Sequence, residues 1–494
     1  MNKKRAASHA ETTAFLAWMK EPAQLRALAI LAIVFAAIGI AIPLLYPYPF
    51  TFPDSGAYVL TAKEGVYNVY RPMGYSSYLA LLHAIVPTTG FLFGVTWTLW
   101  AIVSLWLLFS VRFLFDMGRG WIFWPMAACA VLMPRMMFSA NFLMSDALFT
   151  LLATAFIASA LWLVFRPNWI MAVVHLVLFW LLLKVRYSGM FFLPISMAVL
   201  FIGQMRRKGA IKYLYALLPA LLFAVFYFST RAEYIRQTGV KTFSAFSGWQ
   251  LINNATVLFP EAKQIDARLF EGRENQALHR FLQSAPDSLY QADRALATDY
   301  MWDQDSPYKI FLLYYLQANR CPYTDGWVRT GKIYGDYASQ LIRKQPLRYF
   351  TRFVLPSFAS MLQPQRIYEE GRVFRNEPLY AEYYGLEAET YENRHTFFRS
   401  IYPIHRVLNV VYWVALAAAL LFFCIRIRRS SFSDLRWLGA ATLLLFIVIY
   451  LVTSALASPA TTWRYTMPIF LPSLVFIFYE LQQAVPLLCK KKTA

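Results

Sequence analysis

Apolar runs of about twenty residues recur along this chain, separated by short polar connections, and each is long enough to cross ~30 Å of hydrocarbon as a helix. They fall near residues 27–46, 90–112, 120–138, 142–165, 169–186, 188–205, 212–230, 405–427, 436–456 and 466–486. The pattern predicts an all-α polytopic membrane protein with about ten transmembrane helices. Four regions follow: a tail over 1–26, a seven-span module over 27–230 with its first loop at 47–90, a polar insert over 231–403, and a three-span module over 404–494. The insert is too long for a structureless loop and should hold helices of its own. Within it, Leu347 to Leu362 places Arg348 and Arg352 on one helical face and Tyr349, Phe350, Phe353, Val354 and Leu355 on the other, as in a helix lying in the membrane interface.

Composition sharpens this picture. The 494 residues are 59% hydrophobic and only 15% charged, which excludes a soluble enzyme, a disulfide scaffold and a disordered chain. The net charge of +20 is unevenly placed: residues 231–403 hold 21 Lys/Arg against 19 Asp/Glu, and the rest of the chain 26 against 8. An excess concentrated in short loops is positive-inside bias and not a nucleic-acid surface. With the N terminus inside, Arg112, Arg119, Arg166, Arg206 to Lys208, the Arg426–Arg436 cluster and Lys490 to Lys492 all become cytoplasmic, as does the C terminus. The first loop and the insert then face outward. No small-residue cleavage site follows the first apolar run, so that run reads as an uncleaved anchor.

Three of the eight acidic residues outside the insert, Asp54, Glu64 and Asp146, fall at the outer ends of spans. Lys63, Arg71, Arg135, Lys184, Arg186, Arg406 and Arg464 join them there, against the positive-inside trend. Charges at that depth are costly unless paired or set around a wet cavity, so the cluster is a candidate site. Asp54 follows a proline and precedes Val59 and Leu60, so it also fits an N-cap of a short surface helix. Asp146 follows Ser145 at the start of the fourth span, where capping explains it equally well. Lys184 and Arg186, two apart, point to different sides unless the helix has ended between them; Gly189 nearby makes such an ending plausible, which favours Arg186 as the phosphate contact with Lys184 as its helper or a lipid anchor.

The residues Asp54-Ser55-x-x-Tyr58 and Arg71-Pro72-x-Gly74-Tyr75, with Met144-Ser145-Asp146, Gln345-Pro346-Leu347 and Trp463-Arg464-Tyr465, resemble in order and spacing the GT-C membrane glycosyltransferases, a class that includes protein O-mannosyltransferases and the lipid A aminoarabinose transferase. The resemblance implies a transferase that moves a sugar from a polyprenyl-phosphate donor to a glycan, lipid or protein acceptor on the outer face of a bacterial inner membrane. It implies Asp54 as the catalytic general base, with Arg71, Lys184, Arg186 and Arg464 holding the donor phosphate. Many members carry a second acid where this chain has Ser55, which weakens a metal pair but leaves room for a divalent cation at Asp54. Tyr58, Tyr70 and Asp146 are expected substrate contacts, and Trp249 and Asn253 join them because the stretch 247–254 sets an aromatic ring beside amides, which suits sugar stacking and hydrogen bonding and equally suits closing a helix end.

The chemistry asks for such a set independently: cations meet the negative charge that develops on a leaving phosphate, and a carboxylate takes the proton of the attacking hydroxyl. No histidine pair has metal spacing, so no structural zinc is expected. A lipid-linked-glycan transporter or flippase, and an O-antigen ligase or polymerase, remain alternatives, because each needs a cationic outer cavity.

Overall fold

The computed structural model describes residues 14–52, 54–118, 120–205, 211–286, 300–363, 373–375, 378–386, 390–392, 397–427, 434–458 and 463–490. Arg206 to Lys208, Arg428, Arg429 and the residues before Ala14 lie outside that set. The regular structure of the described part is helical except for a short antiparallel ribbon that pairs Val373–Arg375 with Thr390–Glu392 and one isolated bridge. Among the described residues, eight helices are long and apolar enough to cross a membrane, and two shorter apolar helices stand where the remaining two spans were expected. The protein is thus an all-helical polytopic membrane protein.

The first module comprises α1 (Pro22–Leu45), α2 (Ser55–Glu64), α3 (Gly74–His83), α4 (Thr89–Leu114), α5 (Gly120–Leu132), α6 (Pro134–Ser139), α7 (Ser145–Phe165), α8 (Trp169–Val185), α9 (Leu193–Gln204) and α10 (Ile211–Thr238). The run 120–138 is two consecutive helices and not one continuous helix. Pro134 disfavours a helical Met133, whose φ of −65° and ψ of 119° are extended, and then starts the next helix at its own first position. The fourth span begins at Ser145 because residues before it pair with the first loop. The seventh runs eight residues past its expected end, to Thr238, before the insert turns away.

Helix α7 is the hub: apart from Phe165, all of its residues are buried, and α4, α8, α9, α17 and α18 surround it. α1, by contrast, buries Gln24, Ala27, Leu31, Phe35, Ile38 and Ile42, a single stripe against α4, and leaves Ile33, Ile40 and Leu44 outward. Because lipid tails are as apolar as leucine, burial alone does not hold such helices together. Close packing and interhelical hydrogen bonds do. Trp162 Nε1 donates to Ser110 Oγ at 2.8 Å, Trp97 Nε1 donates to the Phe35 carbonyl at 2.8 Å, and Ser159 pairs with His175 Nδ1 at 2.9 Å.

The insert holds α11 (Ala245–Ala255), α12 (Arg273–Ser284), α13 (Pro307–Asn319) and α14 (Tyr323–Lys344). Its closest contact is α11 on α14, where glycine is obligatory: a Cβ on Gly248 would lie 1.7 Å from the Gly331 carbonyl oxygen. Trp249, Trp327, Tyr308, Tyr334 and Tyr337 fill the core beside this contact. His279 Nε2 donates to the Ile265 carbonyl at 2.9 Å while Nδ1 accepts from Tyr337 at 2.6 Å, and burial holds its pKa below the usual histidine value. The expected interfacial helix spans Pro346–Tyr349, a π-turn at Phe350–Val354 and Leu355–Leu362. It buries Tyr349, Phe353 and Val354 inward, leaves Leu347, Phe350 and Leu355 exposed, and pairs Arg352 with Glu261 at 2.7 Å.

The last module is α16 (Phe397–Ile427), α17 (Leu435–Ala457) and α18 (Met467–Lys490), with α15 taken as the short helix Pro378–Tyr384 before it. α15 packs on α2, where Glu382 pairs with Lys63 at 2.5 Å and His83 Nε2 donates to the Tyr383 carbonyl at 2.6 Å. The insert grips α17 through side-chain amides. Gln250 and Asn254, one turn apart on α11, both donate to the Ala457 carbonyl, and Tyr349 donates to that of Leu456 at 3.0 Å. These bonds satisfy carbonyls that a helix end leaves orphaned.

Candidate active site

After α1 the backbone is extended, and Phe50 forms a parallel bridge with Phe142: its N–H donates to the Asn141 carbonyl and its carbonyl accepts from Leu143, both at 2.8 Å. Asn141 Nδ2 adds bonds to the Tyr46 and Tyr48 carbonyls. This seam ties the start of α2 to the start of α7, so Asp54 and Asp146 come to the same end of the bundle. Ser55 Oγ donates to the Leu143 carbonyl at 2.7 Å and accepts from the Phe52 N–H at 2.9 Å, so it points inward and away from substrate space.

Asp54 occupies the N-cap position of α2 but makes no capping bond. Its carboxylate instead meets Arg71 at 2.5 Å. Arg71 Nη1 donates to the Tyr58 hydroxyl at 3.3 Å, Tyr58 pairs with Ser145 Oγ at 2.9 Å, and the guanidinium lies over the Phe246 ring at 5.5 Å. Burial works against the Arg71 charge, but Tyr58 and Asp54 outweigh it and hold its pKa above the usual value. The adjacent Tyr70 phenol is pushed up to about 12, first by burial and then by Tyr323. The loop closes on α8 because α3 starts at Gly74: a Cβ there would sit 2.4 Å from the Lys184 carbonyl oxygen.

α8 ends at Val185, between the two cations that sequence spacing left undecided. Arg186 is extended, with φ −149° and ψ 142°, and Nη1 meets Asp146 Oδ1 at 2.5 Å. Arg464 Nη2 donates to Asp146 Oδ2 at 3.1 Å. Asp146, 3% exposed, therefore bridges two guanidinium groups with one carboxylate. Aromatic faces complete their surroundings: Arg186 lies over Phe149 and Tyr465, and Arg464 over Phe52.

Asp54, Tyr58, Tyr70, Arg71, Arg186 and Arg464 all line one cavity of about 700 Å³ between the membrane module and the insert. Four other expected residues do not line it. Lys184 stays on the last turn of α8 with Nζ 5.2 Å from the Trp180 ring centre, because the helix has not yet ended there. Trp249 is a core residue, stacked on Trp327 and donating to its carbonyl, and Asn253 is fully buried on the same face of α11. Asp146 lies behind the wall and holds the arginines that do reach it.

Gln250, within the amide-rich stretch 247–254, does line the cavity, while other lining residues were not anticipated: Tyr187, Tyr465, Trp302 and the pair Lys332–Asp336 on α14, joined at 2.8 Å. Tyr187 and Tyr465 each directly follow a site arginine, and that repeated Arg-Tyr step was the available signal. The surroundings of Asp54 are those of an ion pair. Its carboxylate is paired with Arg71, Ser55 is turned inward, and among the described residues no three His, Cys, Asp or Glu side chains gather to ligate one.

No protein-family model and no curated protein matches the chain. Among solved structures it is similar to "Archaeal oligosaccharyltransferase AglB from Archaeoglobus fulgidus in complex with an inhibitory peptide and a dolichol-phosphate", at 12% identity and a TM-score of 0.47. The likeness covers 96% of this chain and 52% of that one, so the chain spans about half the length of the structure it matches.

Proposed function

We propose that the protein is a GT-C type glycosyltransferase whose cavity seats a polyprenyl-phosphate sugar and passes the sugar to an acceptor hydroxyl. The observation that carries this reading is the convergence of Asp54, Arg71, Arg186 and Arg464 on one cavity at the end of an apolar helix bundle. The lipid chain lies along the apolar bundle, and the three guanidinium groups receive the phosphate with paired N–H donors in a partly dry setting. Asp54 accepts the proton of the acceptor oxygen as that oxygen attacks the anomeric carbon and the bond to phosphate oxygen breaks. An activated phosphate leaves without a strong general acid, so one base suffices.

The acceptor, a glycan, lipid or protein, enters from the insert side, where Gln250, Trp302 and Lys332–Asp336 line the cavity. Charge asymmetry of the loops supports an inner-membrane location with both termini cytoplasmic and the cavity on the outer face. Purified protein in lipid nanodiscs, supplied with a panel of polyprenyl-phosphate pentoses and hexoses, should release polyprenyl monophosphate, and Asp54→Asn should lower that rate by about 10²–10⁴-fold. Release of a polyprenyl diphosphate from diphosphate donors instead would mark a ligase or polymerase. Movement of intact lipid-linked glycan across the bilayer without release would mark a flippase.

A further inference from the structure

We infer that Asp54 and the donor phosphate compete for Arg71, so that the base is set free only when the donor is seated. The inference rests on the donor reading above and concerns how that site is regulated. Three observations carry it. Asp54 makes no capping bond to its own helix, and its carboxylate is spent on Arg71 at 2.5 Å. Arg71 is itself a lining residue, placed where a phosphate would meet it. Arg186 and Arg464, in contrast, share Asp146, which is buried and does not line the cavity.

The charges facing Asp54 and the cavity are Arg71 from the first loop, Arg186 from the end of α8, Arg464 before α18, Asp146 behind them and the Lys332–Asp336 pair of α14, with the phenols of Tyr58, Tyr70, Tyr187, Tyr450 and Tyr465 among them. Counting Asp54, four cations face three carboxylates, which leaves one positive charge among the described residues. A sugar phosphodiester carries one negative charge and neutralises the resting site. During transfer the acceptor O–H proton goes to Asp54, the acceptor oxygen bonds to the anomeric carbon, and the bond from that carbon to the phosphate oxygen breaks with its electron pair. The product is a phosphate monoester with two negative charges, beside a site that now carries two positive charges because Asp54 is neutral. The charge balance is kept at both ends of the reaction: Arg71 passes from Asp54 to phosphate, and the carboxylate so freed is the one that takes the acceptor proton. A resting enzyme, with its base engaged, does not activate water or acceptor in the absence of donor.

Isothermal titration of the intact detergent-solubilised protein with farnesyl phosphate, in buffers of different ionisation enthalpy, tests this. The expected result is greater proton uptake on binding by the wild type than by Asp54→Asn, the variant serving as reference for the phosphate's own titration. Asp54→Asn should also bind farnesyl phosphate about tenfold more tightly, because Arg71 no longer has a competing carboxylate. A second measurement needs no variant: wild-type affinity, corrected for the phosphate's ionisation, should rise as pH falls. Binding with equal proton uptake in both proteins, with no tightening in Asp54→Asn and with no pH trend, would overturn the competition while leaving the donor reading in place. Absence of farnesyl phosphate binding in the wild type and the folded variant alike would overturn the donor reading itself.

Discussion

Replacing Asp146 with asparagine removes one negative charge and almost no volume, and so isolates what the buried carboxylate does. Asp146 is 3% exposed and accepts from Arg186 at 2.5 Å and Arg464 at 3.1 Å; the two arginine side chains are 18% and 20% exposed. Removing one partner of a buried ion pair typically costs about 3–5 kcal/mol, because the remaining charge is left uncompensated. Here two cations are left facing each other, but both keep an edge of solvent and aromatic faces nearby, which brings the expected loss to roughly 3 kcal/mol. For a chain of this length that is a fall of a few degrees in apparent Tm.

The sign of the anion effect is the sharper test. In the wild type, Asp146 already neutralises one of the two arginines, whereas in Asp146→Asn an added phosphate is the nearest available counter-charge. Thermal unfolding in detergent, followed with and without inorganic phosphate at constant ionic strength, should therefore show a larger phosphate-dependent rise in Tm for Asp146→Asn than for the wild type. An Asn variant as stable as the wild type, or one that phosphate stabilises no more than the wild type, would refute the view that this carboxylate holds the two guanidinium groups in place.

Three further outcomes are expected. Arg186→Ala should lower sugar transfer at least a hundredfold in the nanodisc assay, while Lys184→Ala, whose side chain lies on Trp180 outside the cavity, should stay within a few-fold of wild type. Gly248→Ala forces a methyl group into the Gly331 carbonyl and should destabilise the insert by about 1–3 kcal/mol, measured as faster limited proteolysis of residues 245–344. The Tyr70 phenol ionises near 12 in the folded protein against 10.0 unfolded, so it contributes stability that is complete below pH 10 and lost between pH 10 and 12; the phenolate absorbance of wild type minus Tyr70→Phe should develop only toward pH 12, and development near pH 10 would count against its burial.

How much of this was legible in the sequence follows from what each residue had to contrast with. Asp54, Arg71 and Arg464 stand out because a charge beside an apolar run is rare and needs a reason, and all three reach the cavity. The choice between Lys184 and Arg186 turns on where α8 stops; Gly189 hinted at the stop and so favoured Arg186, but the close packing of Gly74 and Gly189 against the last turn of α8 shows only in three dimensions. Trp249 and Asn253 looked like sugar contacts because an aromatic beside amides suits carbohydrate. They lie instead on the face of α11 that meets α14, and the glycines at 248, 331 and 335, whose spacing signals helices in close approach, were the better guide. The break at Met133 was written in Pro134, but an unbroken apolar run concealed it. The site's far wall, Lys332 and Asp336, could not be placed without knowing which side of α14 faced the membrane module.

The seam between Phe50 and Phe142 is made by main-chain atoms, and Asp54 and Asp146 each follow it by four residues. Amide groups are common to every amino acid, so the buried side chains at positions 50 and 142 can be exchanged for other apolar ones over evolutionary time without parting the two acids. Distant kin of this protein should therefore keep the equal offset of the two carboxylates from a paired stretch of backbone long after the surrounding letters have ceased to align.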